Sequence, residues 1–190
     1  MTSELIWQHL NAPGWEHVRV ISDHPGWTVF DSILVREHNG QVLRGGYTLV
    51  TDKEWRTLEL RLMMESRPGS MEGVHLLTEG DGKWMDANEQ PIPELDGCLD
   101  VDIQWTPLTH SLPINRLQTS VGDSREVDIV SILLPAMSIH RSTYLYAHVD
   151  DARFTVEGKP GPVSVEVDSD GLVNDVDRKF VRTWPRKSTL

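Results

Sequence analysis

Two aspartates, Asp100 and Asp102, sit in a run that alternates strictly. Leu99, Val101, Ile103 and Trp105 fall on one side of it, and Cys98, Asp100, Asp102 and Gln104 on the other. On a strand, residues two apart share a face, with Cα atoms about 6.6–6.8 Å apart. Retaining glycosidases hold their carboxyl groups roughly 5–5.5 Å apart and inverting ones roughly 6.5–9.5 Å, so rotamers of this pair satisfy either class without selecting one. The pair also reads as the solvated face of a half-covered sheet. A third reading pairs one acid with Arg116, which would pin the intervening loop to the strand and lower that carboxyl's pKa. The loop carries Thr106, Thr109, His110 and Ser111, and its prolines, Pro107 and Pro113, are expected to exclude a regular ladder or helix over 108–112.

Other chemistry is less well supported by spacing. None of the eight histidines forms a close pair of the HExxH kind. His75 and His110 could meet across strands with Asp100 as a metal site, but closed metal sites leave a tighter signature, and neither a metal nor another cofactor is expected. There is no GxSxG elbow and no supported Cys–His arrangement. Cys98 lies beside an acidic strand face, which raises a thiol pKa, and reads as a buried structural cysteine. Gly80 and Gly82 read as hairpin residues, and Gly45-Gly46 as a bulge or a close backbone approach, because no helix follows either to cradle a phosphate. Seven tryptophans accompany only three tyrosines and three phenylalanines. Each buries up to about 250 Å², worth ~6 kcal/mol as an upper bound, so most belong to the core. Trp55, Trp84 and Trp105 fall at strand ends or beside turns, where an indole is often half exposed. One or two of them lining a cavity beside polar groups would suit an amphiphile with a sugar head and an acyl tail.

The elements that must position these residues follow from the rest of the chain. Turn signals recur about every 8–12 residues between short alternating runs, for example over 17–22, 27–36, 41–51, 55–63, 125–134, 142–149, 162–167 and 180–184. Asn39-Gly40 favours a two-residue hairpin. Helical periodicity is confined to one or two turns over 4–10, with Ser3 as N-cap. The pattern predicts a mainly β fold with little helix: a curved antiparallel sheet forming an open or partly closed barrel. At 190 residues it is read as a single domain over 1–184 with a frayed tail at 185–190. A chain of this length buries roughly 70% of its unfolded surface and needs no staple. One cysteine excludes an intrachain disulfide, and the N-terminal residues show neither a basic segment nor a long apolar run, so a soluble cytoplasmic protein is expected. Eighteen basic against twenty-nine acidic residues give a net charge of −11, which argues against nucleic acid or an anionic membrane surface as partner. Integral membrane association is not expected, and the oligomeric state is left open.

GCLDVDIQWTPLTHSLPINRL at 97–117 resembles the "GC-x-DVD…TPxTNTLPIRRL" signature of a bacterial family described as glycolipid-binding. Further matches are DKEWRT at 52–57, GDGKW at 80–84, LPAMSI at 134–139 and VDSDGLV at 167–173. The resemblance spans about 27–182 and implies a curved, mostly antiparallel sheet forming an open barrel, similar to the lipoprotein localisation factors, which hold acyl chains inside the sheet. The chain departs from the signature at His110-Ser111, at Asn115 where the family has the first of two arginines, and at Asp175-Val176-Asp177. The reading that results is a protein holding a small amphiphile, a glycolipid or a lipid-like molecule, in the concave face of its sheet. Asp100, Asp102, Thr106, Thr109, His110 and Arg116 would address the polar head, and Trp55 or Trp105 with apolar strand residues the tail. Two alternatives are a hydrolase acting on a glycoside or ester through Asp100 and Asp102, and a structural domain without ligand in which Arg116 locks the proline loop.

Overall fold

The structure is a computed structural model describing residues 2–24, 26–67, 69–159 and 161–185. The alternation seen in the sequence becomes, among the described residues, fourteen strands of one sheet. They are β1 (Thr2–His9), β2 (Gly14–His24), β3 (Trp27–His38), β4 (Gln41–Asp52), β5 (Thr57–Arg67), β6 (Ser70–Leu77), β7 (Met85–Asp86), β8 (Asp100–Ile103), β9 (Ser124–Leu133), β10 (Ser138–Asp150), β11 (Arg153–Gly158), β12 (Gly161–Val167), β13 (Val173–Val176) and β14 (Phe180–Trp184). Their spatial order is β7-β6-β5-β4-β3-β2-β1-β14-β13-β12-β11-β10-β9-β8. The first and last strands thus pair in the middle, and the two edge strands are neighbours in the sequence. Tight turns make this meander possible. The hairpin between β3 and β4 has only Asn39 and Gly40 in its loop, both at positive φ (52° and 77°), as its sequence requires.

Every strand pairing is antiparallel except β8 with β9. Parallel neighbours need a crossover of a dozen or more residues, usually helical. Residues 104–123 supply it, through a 3-10 turn (Leu108–His110) and one helix, α1 (Ser111–Leu117). The expectation that prolines keep this stretch irregular is therefore corrected. Pro113 occupies the first turn of α1, where backbone N–H groups have no partner four residues back, so the missing donor costs nothing.

The helix expected at 4–10 is corrected too: these residues lie largely in β1. Leu5, Trp7 and His9 are buried at period two, and both edges of the strand are paired, with β2 and with β14. Pairing on both sides outweighs local helix propensity.

Two apolar clusters fill the inner side of the sheet. One gathers Trp7, Phe30, Leu34, Leu60, Leu62, Val101, Ile103 and Ile132, and the other Ile129, Tyr146, Phe154, Val165, Val176 and Phe180. The 105–117 segment enters both, Leu108 and Leu112 in the first and Ile114 in the second. Among the described residues, the inner side of the sheet is therefore packed with the chain's own side chains. The β8 end approaches the β5 end without a ladder, through Thr57 N–H donating to the Leu99 carbonyl (3.0 Å) and Trp84 Nε1–H to the Cys98 carbonyl (2.9 Å). Trp84 and Trp105 are buried, not half exposed; Trp15, Trp27 and Trp184 are the exposed ones. The tail expected at 185–190 lies, apart from Pro185, outside the described residues.

Gly45 and Gly46 permit a close approach of strands, with no bulge at that point. A Cβ on Gly46 would sit 2.2 Å from the Ser32 carbonyl oxygen. Because that neighbour is backbone and cannot swing away, Gly46→Ala should destabilise the fold by about 1–3 kcal/mol, read as a lowered midpoint in thermal or denaturant unfolding.

Candidate functional site

Strand β8 has little solvated face. Asp100 is fully buried and takes a fork of bonds from Arg116, Nη2 to Oδ2 at 2.6 Å and Nε to the two carboxylate oxygens at 3.1 and 3.2 Å. The pairing read from the sequence is present. The lowered pKa expected of it is not, because burial pushes the Asp100 carboxyl up and Arg116 only partly opposes this. Next to Arg116 on α1, Asn115 donates to the Gly171 carbonyl (3.0 Å), and one turn earlier Ser111 Oγ accepts the Val173 N–H (3.1 Å). These bonds dock the helix against the connection between β12 and β13.

Asp102, on the same side of β8, has different surroundings. Tyr144 OH donates to its Oδ2 (2.8 Å) and Thr109 Oγ1 to its Oδ1 (3.1 Å). It lines a cleft of about 220 Å³ together with Gln104, Thr106, His110, Tyr144 and Lys179, and with apolar Leu133, Val156, Val163 and Phe180. His110 bonds Tyr146 OH through Nδ1 (3.2 Å), and burial, opposed by Asp102 and reinforced by Lys179, pulls its pKa below the ordinary imidazole value. Carboxylate, amide, imidazole, phenol and ammonium groups thus converge on one small space. That set both donates and accepts, as a polyhydroxyl group requires.

Of the residues picked from the sequence, Asp102, Thr106 and His110 line this cleft. Thr109 supports Asp102 from behind, and Trp105 lines an adjoining recess that shares Gln104, Lys179 and Phe180 with the cleft. Asp100 and Arg116 are engaged with each other, so the two aspartates do not offer a pair of carboxyl groups to one bound glycoside. Trp55 lies elsewhere, half-buried against Phe30 (ring centroids 5.9 Å apart). His75 is bonded to Glu59 (2.8 Å), and no group of three metal-ligating side chains gathers among the described residues. The Cys98 thiol is buried and pushed up to about 11. A wider groove of about 600 Å³ runs over the opposite face of β3–β6, lined by apolar Ile33, Val35, Met63 and Met71 with Asp31, Arg44 and Arg61, but it is shallow and open.

Behind Thr106 stands a residue the sequence reading passed over. Glu16 is fully buried. Its Oε1 accepts hydrogen bonds from Ser32 Oγ and Tyr47 OH (both 2.8 Å), and Tyr47 OH meets Thr106 Oγ1 at 3.1 Å. Glu16 Oε2 has no hydrogen-bond partner among the described residues. Burial raises this carboxyl to about 7, against the hydrogen bonding around it, which favours the charged form. The signal was present in the alternation of Glu16, Val18 and Val20, had the strand been started at Gly14.

The chain matches, over residues 4–182, the model of a family described as "Putative glycolipid-binding". The chain belongs to this family. It is also similar to a crystal structure of a DUF1089 family protein from Pseudomonas aeruginosa, with 28% identity and a TM-score of 0.74 over 85% of this chain and 88% of that one. No curated protein matches it.

Two measurements check this geometry. Arg116→Ala leaves Asp100 charged or neutral without a partner in a buried site and should cost about 3–5 kcal/mol, with Asp100→Ala adding little in the same background of a double-mutant cycle. Glu16 keeps its proton to about pH 7 when folded but only to about 4.5 when unfolded, so it makes stability fall as pH rises through that window. His9 acts oppositely: burial and Arg36 lower it from 6.5 to about 4, so its contribution grows as pH rises between those values. Glu16→Gln removes only the first effect. The unfolding free energy of the variant relative to the parent should therefore rise by ~3 kcal/mol between pH 4.5 and 8, measured by denaturant titration.

Proposed function

We propose that this chain binds a glycolipid-like amphiphile by its polar head, in the cleft beside Asp102. The observation that carries the reading is the convergence of Asp102, Gln104, His110, Tyr144 and Lys179 on one space bordered by Leu133, Val156, Val163 and Phe180. Its size decides how much of the ligand enters. Pockets that enclose a drug-sized ligand measure roughly 300–1,000 Å³, whereas this one has about 220 Å³. It suits a sugar-sized head, with the first tail carbons against the apolar border and the rest outside. Packing of 105–117 into the interior supports that division, because an acyl chain inside the sheet would have to displace buried Leu108 and Leu112. With a single, buried cysteine, a cytoplasmic setting is part of the proposal.

A purely structural role accounts for the Asp100–Arg116 lock but not for a second aspartate held toward an open cleft by Tyr144. Native mass spectrometry of the chain purified from its own host should show a co-purified amphiphile with a glycosylated head. Asp102→Asn should retain it about tenfold less well, in protein that still unfolds in a single cooperative transition. Recovery of the parent chain free of any such adduct, or equal retention by both proteins, would contradict the reading.

A further inference from the structure

The cleft continues into a recess of about 110 Å³ lined by Asn11, Arg36, Gln104, Trp105, Lys179 and Phe180. Two permanent cations border it, and neither has a carboxylate within ion-pair distance among the described residues. Arg36 donates through Nη1 to His9 Nδ1 (3.0 Å) and through Nη2 to Asn11 Oδ1 (3.1 Å), both neutral acceptors, and its buried Nε–H has no partner among the described residues. The adjacent Glu37 carboxylate acts on Arg36 only at longer range and accepts the Gly40 N–H (2.5 Å). Near Lys179, Asp177 is turned to Arg178 (3.9 Å). The Arg36 guanidinium lies over the Trp105 ring, 5.2 Å from its centre, and half-buried, where an unpaired charge is costly. In a chain with eleven more acidic than basic residues, a recess bordered by two cations and no acid is out of keeping with the average surface.

We propose that this recess is an oxyanion subsite, in which Arg36 and Lys179 receive a phosphoryl, sulfo or carboxylate group. A volume of about 110 Å³ equals that of roughly three to four waters at ~30 Å³ each, enough for such a group and too little for a sugar ring. Because it shares Gln104, Lys179 and Phe180 with the cleft beside Asp102, an acidic head group reaches both at once. In this respect the inference rests on the proposed amphiphile reading. It names that ligand's class as an anionic glycolipid or a phosphorylated or sulfated relative.

The test uses isotope-labelled full chain, followed by nitrogen–proton NMR at the Trp105 indole and at the backbone of Lys179, Tyr144 and His110. The probes are inorganic phosphate, octyl glucoside and octyl glucoside 6-phosphate below their micelle concentrations. Phosphate should move Trp105 and Lys179 saturably, and Lys179→Gln should weaken this about tenfold with an unchanged unfolding temperature. The phosphorylated glucoside should bind at least tenfold more tightly than either other probe. If it binds no better than phosphate while phosphate still saturates, the subsite stands and serves a free oxyanion. If octyl glucoside moves Tyr144 and His110 while phosphate moves neither Trp105 nor Lys179, the head-group reading stands and the subsite falls. If phosphate saturates but neither glucoside moves Tyr144 or His110, the subsite stands and the head-group reading falls. Equal phosphate affinity in the parent and in Lys179→Gln overturns the subsite.

Discussion

The fork of hydrogen bonds from Arg116 to buried Asp100 is the constraint from which the rest of the site follows. Taking both charges out of water is unfavourable, and only close, bidentate geometry offsets that cost. The pair consequently fixes one arrangement of α1 across β8. That arrangement completes the parallel crossover, sends Leu112 and Ile114 into the two apolar clusters, and leaves the 3-10 turn beside Asp102. Asp102 shares the strand face of Asp100 but not its partner. It faces Tyr144 of β10, and the cleft opens there.

The same motif therefore divides its work between adjacent positions. Asp100, Ser111, Asn115 and Arg116 hold the crossover in place, while Asp102, Thr106 and His110 border the cleft. The other stretches that match the family signature are built mainly of turns. Asp52 accepts the N–H groups of Glu54 and Arg56 (both 2.9 Å), Asp81 that of Lys83 (2.9 Å), and Asp168 those of Asp170 and Leu172 (2.8 and 3.1 Å). Where the signature has an arginine and this chain has Asn115, the short amide reaches the Gly171 carbonyl. Glycine suits position 171, where φ is +70° and a Cβ would press on the Asn115 amide at 2.2 Å.

Strand positions were legible wherever alternation met a turn signal, as in β3, β4 and β5, because one buried face imposes period two on the sequence. The errors fell where a distant partner decides the local state. β1 reads as a weak helix until β2 and β14 pair with it, and Pro113 reads as a breaker until its place in a first helical turn is known. The Asp100–Arg116 pair was legible because an acid on a strand and a cation after a rigid loop leave few partners. Tyr144, Lys179 and Arg36 were not, since they come from strands and a turn that only the sheet order brings to β8. Glu16 was hidden by a strand boundary set a few residues late.

A crystal structure of the chain with a short alkyl glycoside bound tests the central claim most directly. The sugar ring should lie between Asp102, His110 and Tyr144, with its alkyl chain leaving past Leu133 and Val163 and the 105–117 segment undisturbed. Density for the glycoside over Ile33 and Met63 on the outer face of β3–β6, or inside the sheet with α1 displaced, would contradict the account.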